Sequence, residues 1–380
     1  MSQNTQQFER FRNLLSGRLA NSLTPEQINE QTTQAALASA CFKEYVEVIH
    51  DGSDIRKPYS QQLPNLTKVR SLTGTLVNGF NTFNSILISD TDKRLHLLES
   101  TAYSTADDHY GVIAGVSLSA DQLQRDQLRR VDTALKARVG ALPIRHLLDR
   151  GHDDANLFAF IDQQLQSRFV IRAKLNRVYP PDTSQKLHQA ALAGHHEESL
   201  SKFVWRGKVY QDARLVLSWG QIELAGQVYT VVRSLVFKRT GERIFKEPMV
   251  LITNESVGDW GAAFRIYQAY LRRSRIEGVF KFLKEHLGWE RFRVGEFMVI
   301  QNVLALCYWA GGYFYEQQSE LSQDGVVVWL CALARSKGKV TLHFLLAGLT
   351  IVAHHLLFED FVASAGLTEE EVKQLISYAR

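Results

Sequence analysis

Between Tyr270 and Lys284 the chain reads YLRRSRIEGVFKFLK, and four side chains in that stretch are suited to handling a phosphodiester. A helix turns by ~100° per residue, so with Tyr270 at zero Arg273 falls near −60°, Glu277 near −20° and Lys284 near −40°, all approximate. An aromatic ring, a guanidinium, a carboxylate and an ammonium then share one helix face over roughly 21 Å. A lone carboxylate among cations suits a metal ligand beside a polyanion. The metal would stabilise the reacting phosphate and the cations would hold the strand. The same stripe also reads as a solvated basic helix with one intrahelical ion pair, the commoner meaning of a charge run.

A two-metal phosphoryl-transfer site needs at least three carboxylates, because hard divalent cations want oxygen ligands and charge compensation. Two aspartates stand at the ends of apolar, β-prone runs: Asp51 in IHDGSD and Asp149 in LLDRGHDD. Taken alone, each is more often a turn residue than a ligand. Asp90 and Asp92 compete with Asp51, but they occupy a hairpin-like turn, SDTD, at the opposite end of the expected sheet. His50, Asp54, Asp153 and Asp154 lie near enough in sequence to support the ligands, with solvation the simpler reading for the last two. His195, His196 and Glu197 lack metal-ligand spacing and read as a solvated loop.

The spacing Tyr270-x2-Arg273-x3-Glu277-x6-Lys284 resembles the C-terminal signature of DDE transposases of the insertion-sequence-four family. Asp51-Gly52-Ser53 matches that family's first motif loosely, with Gly in one hydroxyl place. Asp149-Arg150-Gly151 with Asp153 matches the second motif well. The resemblance runs from about residue 45 to 295. It implies a ribonuclease H-like fold, Mg²⁺ (with Mn²⁺ as a substitute) held by Asp51, Asp149 and Glu277, and phosphate contacts from Tyr270, Arg273 and Lys284. Arg172 and Lys174 join them as further strand contacts. It also implies double-stranded DNA as partner, both terminal inverted repeats and target, and a homodimer on that DNA. Met249 stands where some relatives carry an aromatic residue that stacks on a flipped base. The rival readings are a nuclease without strand transfer and an inactive, domesticated DNA-binding copy.

The elements that must position these residues follow from the pattern. Residues 1–43 read as helical, with Thr24-Pro25-Glu26-Gln27 as a helix start. Residues 44–175 run β-β-β-α-β-α-β: strands at Tyr45–Asp51, Phe83–Ile88, Arg94–Ser100, Ile144–Asp149 and Arg168–Leu175, with helices at Asp121–Val139 and Asp154–Gln166. That order gives an α/β class with a mixed sheet. Residues 176–246 hold recurring β-prone segments and read as a β-rich insertion. Residues 247–294 return to the core with the Glu277 helix, and residues 295–380 read as helical, with a last helix starting at Thr368.

Composition narrows the class. With 380 residues, 45% apolar and 22% charged, the chain is long enough for a large domain with insertions and ordinary for a soluble globular protein. The net charge is +4, yet from Arg265 to Arg293 eight cations face three carboxylates, a local +5. Such an excess suits an anionic polymer. Three scattered cysteines suit neither a disulfide framework nor a zinc site. The N-terminus lacks the apolar core of a secretory signal, and the run Phe344–Phe358 falls short of a membrane span. The expectation is a cytoplasmic protein, nucleoid-associated when on DNA, with no membrane partner.

Overall fold

The computed structural model describes residues 13–16, 23–105, 112–113, 116–117, 119–178, 185–205, 208–317 and 325–365. The helices expected before residue 13 and from Thr368 onward lie outside them. The chain divides into two units, residues 1–312 and 313–380.

In the first unit, helix α1 (Pro25–Ser39) opens on a capping box in which Thr24 and Gln27 satisfy each other's backbone N–H groups. Strand β1 (Val46–Arg56) follows, its entry fixed by Asp90, whose carboxylate accepts from the N–H groups of Lys43, Glu44 and Tyr45. Next come β2 (Thr67–Arg70), β3 (Leu76–Ile88) and β4 (Leu95–Tyr103), then the two-residue strands β5 (Val112–Ile113) and β6 (Val116–Ser117). Helix α2 (Ala120–Val139) starts at the Ser119 cap and stops at Gly140, whose φ of 61° continues no helix. Strand β7 (Ile144–Leu148), short helix α3 (Ala155–Ala159) running into a π turn, and β8 (Arg168–Arg172) complete the first half.

Strands β9 (Gly194–Trp205), β10 (Lys208–Leu224), β11 (Gln227–Phe237) and β12 (Met249–Thr253) precede helices α4 (Trp260–Arg272), α5 (Arg275–Glu285) and α6 (Phe297–Gln317). Ten strands form one mixed sheet in the order β2-β3-β1-β7-β8-β12-β11-β10-β9, with β4 also on β3. Only β1, β7 and β8 pair in parallel among the described strands. The β-prone segments of 176–246 hydrogen-bond through β11 to β12, and through β12 to β8, so they widen the central sheet.

Side chains alternate across a sheet, and β1 shows what each face carries. Val46 and Val48 join Ala36, Leu37, Leu98, Val131 and Leu135 in a core beneath α1 and α2. His50 lies on that same face, fully buried. It is joined to Ser85 at 2.8 Å and His146 at 2.9 Å, and His146 reaches Asp132 at 3.2 Å. Glu47, Ile49 and Asp51 therefore point to the other face, where α4 and α5 lie. His50 belongs to the core network and turns away from Asp51.

Two local expectations are corrected. His195, His196 and Glu197 are not in a loop; they pair with Ser218, Leu217 and Val216 in β9. That strand borders the sheet and leaves much of its length exposed, so it needs no apolar alternation. Tyr270 to Lys284 is not one helix, because α4 and α5 part at Arg273–Ser274. Helix α6 is long and apolar enough to cross a membrane by length and composition. Its Val299, Ile300, Leu304 and Tyr308 are nonetheless buried, and the Tyr308 hydroxyl donates to the Ser85 carbonyl at 2.9 Å.

The second unit contains α7 (Gly325–Leu333) and α8 (Leu342–Ala365). They approach so closely that a Cβ on Gly348 would collide with the Leu330 backbone.

Candidate active site

Strand register lines up the first two carboxylates. The last parallel pair of β1 and β7 is His50 with Leu148, so the next residues, Asp51 and Asp149, sit side by side. Leu148 pairs with Ile171 on β8, which brings Arg172 into the same row. Asp149 and Arg172 stand at the C-terminal ends of β7 and β8. Asp51, expected at a strand end, lies instead midway along β1, which loses its parallel partner there and runs on to Arg56 against β3. Asp149 then caps the tight turn Arg150–His152, accepting from the Gly151 N–H at 2.9 Å and from His152 Nδ1 at 2.8 Å.

The third carboxylate comes from the helix break. Ser274 donates its hydroxyl to the Leu271 carbonyl at 3.0 Å, and the N–H groups of Ile276 and Glu277 bond three residues back, to Arg273 and Ser274. A hydroxyl competing for helix carbonyls and a tighter turn together explain why the helix does not run through. The two arginines at this break grip β1. Arg272 bonds Glu47 through two contacts of 2.6 Å. Arg273 donates to Asp51 at 2.6 Å and, through its other terminal nitrogen, to Glu277 at 3.1 Å. One guanidinium thus bridges two of the three predicted carboxylates, while Asp149 acts on both Asp51 and Arg273 through its charge.

The electrostatics divide the two aspartates. Burial, with a further push from the neighbouring Asp149, raises Asp51 to about 6 despite Arg273. Burial would also raise Asp149, but the His152 hydrogen bond and charge and the Gly151 N–H outweigh it and hold the carboxyl below its ordinary value. A buried carboxyl raised by burial and by a neighbouring carboxylate is a place where a cation is favoured. Arg273 supplies one positive charge there. Burial works against its charge, but Asp51, Tyr270, Asp149 and Glu277 outweigh it and hold the guanidinium above its ordinary value.

The donor set suits a hard divalent cation, since it is entirely carboxylate oxygen. Asp51 and Asp149 are the better placed ligands, with 17% and 35% of their side chains exposed, and Glu277, at 63%, lies across the guanidinium. Among the described residues no three His, Cys, Asp or Glu side chains converge tightly enough to enclose a metal as the side chains stand. Arg273 fills the space between Asp51 and Glu277.

The other predicted residues fall into distinct surroundings. Tyr270 is 6% exposed, and the Arg273 guanidinium lies 5.9 Å from its ring centre, so it floors the arginine. Lys284 donates to the Asp54 carbonyl at 2.6 Å and lies 3.4 Å from Glu290. Arg172 lines a cavity of about 470 Å³ with Met249, Tyr267 and Leu271. Lys174 is exposed, and its backbone N–H donates to Asp153 at 2.7 Å. Asp153 is not a solvated residue: it is 5% exposed and pairs with Arg177. Sequence reasoning missed His152, whose signal was its place three residues after a capping aspartate. It also missed Glu47 with Arg272, which nothing local could reveal.

Solved structures similar to this chain include endonuclease V from Bacillus subtilis, at 14% identity over 74% of this chain and 94% of that one, with a TM-score of 0.25. The NurA nuclease from Sulfolobus solfataricus aligns at 12% identity over 83% and 95%, with a TM-score of 0.26. Scores this low assign no fold. No curated protein matches the sequence. The family model for the transposase DDE domain, however, matches residues 43–310, a span that holds β1, β7, the helix break and all three carboxylates. By that match the chain belongs to the transposase DDE domain family.

Proposed function

We propose that this chain is a cut-and-paste DNA transposase of the insertion-sequence-four type, in which Asp51, Asp149 and Glu277 hold divalent cations and cut the ends of an insertion sequence. The observation that carries the reading is that Asp51 and Glu277 share Arg273 where β1 leaves its parallel pairing with β7, with Asp149 next to Asp51 in that register. A ribonuclease H-like core is supported by the order β4-β3-β1-β7-β8, with an antiparallel meander first and two strands parallel to β1 after it.

Mg²⁺ or Mn²⁺, when bound, lowers the pKa of water and stabilises the leaving oxygen. The protein's own part is positional. Asp149 is held ionised and oriented by His152 and Gly151. Asp51, raised to about 6 by burial, carries a carboxylate that a cation would favour in its ionised form. Arg273 is held over Tyr270 within reach of Asp51, where it can pass from carboxylate to phosphate. Lys284, Arg172 and Lys174 extend the cationic surroundings along the strand. The freed 3′ hydroxyl then attacks target DNA, and paired cleavage of two ends calls for a homodimer on the terminal inverted repeats.

The test is a cleavage and joining assay on labelled DNA bordering the coding sequence, with and without Mg²⁺. Metal-dependent nicks and joined products support the transposase. Nicks without joining favour a nuclease, and a gel shift that needs no metal, without nicks, favours an inactive binding copy.

A further inference from the structure

Beside the carboxylates, and away from the Arg172 cavity, a cleft of about 720 Å³ opens between the end of β1, the β2–β3 turn and α5. Its lining includes five cations, Arg56, Arg70, Lys281, Lys284 and Arg291, against Asp54, Glu285 and Glu290. Some of these charges are spent within the protein. Glu290 takes both Arg56, through two contacts of 2.9 Å, and Lys284 at 3.4 Å. Asp54 accepts from the Arg70 N–H at 3.0 Å and from Asn81 at 3.2 Å. The guanidinium groups of Arg70 and Arg291 are left exposed and without a protein partner among the described residues.

The β2–β3 turn forms one wall and is built to be rigid. Gly74 donates to the Ser71 carbonyl at 3.1 Å, Ser71 donates to the Thr75 carbonyl at 2.8 Å, and Gly74 takes a φ of 87° that suits glycine alone. The hydroxyls of Ser71, Thr73 and Thr75 interlock at 2.7 to 3.3 Å. On this fixed tip stands Leu72, 90% exposed, beside Arg70 and above the cleft. The second position of such a turn accepts most residues, so the fold has no use for leucine there. An apolar side chain held rigidly at the mouth of a cationic cleft matches the way proteins unstack DNA: cations hold the phosphates while an apolar wedge enters a base step.

We propose that this cleft is a second DNA-binding surface, which takes the duplex next to the scissile phosphate on Arg70 and Arg291 and parts one base step with Leu72. The assignment rests on the transposase reading but uses none of its metal-binding residues. Both the arginines and Leu72 project into solvent, so replacing them leaves the fold intact.

The experiment uses the full chain and a short fluorescein-labelled duplex drawn from the DNA bordering the coding sequence, titrated across a salt series. Arg70→Ala and Arg291→Ala should each flatten the logarithmic salt slope by about 0.9, the value for one lost phosphate contact. A companion set of duplexes carries 2-aminopurine at successive positions. The wild type should brighten it at one step, and Leu72→Ala should lose that signal while keeping its affinity within about threefold, as expected for a side chain that makes no phosphate contact. Unchanged salt slopes in both arginine variants, no bright step in the wild type, or an undiminished signal in Leu72→Ala would each overturn the proposal. Failure of the transposase reading looks different: the wild type would then give no metal-dependent nicks, or nicks without joined products, whatever the cleft variants do in the salt and fluorescence titrations.

Discussion

At the N-terminal ends of β1, β7 and β8, Glu47 is 1% exposed and takes hydrogen bonds from both Arg145 and Arg272, while Arg145 and Arg168 share Glu255. Where the parallel pairing of the same strands ends, and on the same face, Asp51 and Glu277 share the single guanidinium of Arg273, and Asp149 leans on His152. Strands, residue types and even consecutive helix arginines are common to both ends. The charge count differs. The first cluster sets three arginines against two carboxylates, Glu47 and Glu255, although it borders a cavity of about 680 Å³. The second gathers three carboxylates around one guanidinium, leaves them partly open to solvent, and pushes Asp51 up to about 6. Paired charges lock a fold, whereas an acidic surplus at a strand edge leaves room for an incoming cation.

The contrast is sharpest between Glu47→Ala and Asp149→Asn. Removing Glu47 takes the carboxylate from Arg272 and leaves Arg145 with Glu255 alone, so it should cost on the order of 3 kcal/mol, the lower end of the usual penalty for breaking a buried pair. Asp149→Asn should melt near the wild type yet give no nicked DNA above the metal-free background. Thermal melts and a nicking assay on both variants decide it. A stable Glu47→Ala, or an unfolded Asp149→Asn, would break the distinction between the two ends.

A smaller effect follows from the titration of Asp51. Its carboxyl titrates at about 6 when folded, against 3.8 when free, so the folded state binds more protons between those values. Stability contributed by Asp51 is fully present below the lower value and is lost as pH rises through the folded one. Asp51→Asn cannot ionise, so its metal-free stability relative to the wild type should rise by up to roughly 3 kcal/mol, at about 1.4 kcal/mol per pKa unit. Denaturant titrations at about pH 4 and about pH 7 measure this. A relative stability that falls over that range would contradict the burial of Asp51.

The smallest change is expected at Asp90, beyond the N-terminal end of β1. Its carboxylate caps three backbone N–H groups and touches no part of the C-terminal edge. Asp90→Asn should cost about 1 kcal/mol, in the range of a lost hydrogen-bond contribution, and should cut DNA normally. A dead Asp90→Asn with an active Asp51→Asn would mean that the catalytic edge had been placed at the wrong end of the sheet.

Much of this was legible because it is local. The apolar run before Asp149 marks the end of a buried parallel strand, and the Thr24 capping box marks a helix start. The run before Asp51 marks only the end of the parallel pairing, because β1 continues to Arg56. The spacing from Tyr270 to Lys284 pointed to one helix face, but the break at Ser274 depends on a hydroxyl choosing a carbonyl. The role of Arg273 depends on a residue 222 positions away. Glu47 and Arg272, separated by 225 positions, leave no periodic trace. Strand β9 escaped notice because an exposed border strand can be polar on both faces. Asp153 looked solvated because its partner, Arg177, is supplied by the loop after β8.

The central claim is that Asp51, Asp149 and Glu277 act together as a metal-dependent site, and Glu277 is its most exposed and least constrained member. The most direct test is Mg²⁺-dependent nicking of labelled DNA bordering the coding sequence by Glu277→Gln beside the wild type. The amide keeps the shape of the side chain and removes its charge. No nicked product above the metal-free background, with folding and DNA binding retained, is the predicted result. Nicking by Glu277→Gln at the wild-type rate would contradict the account.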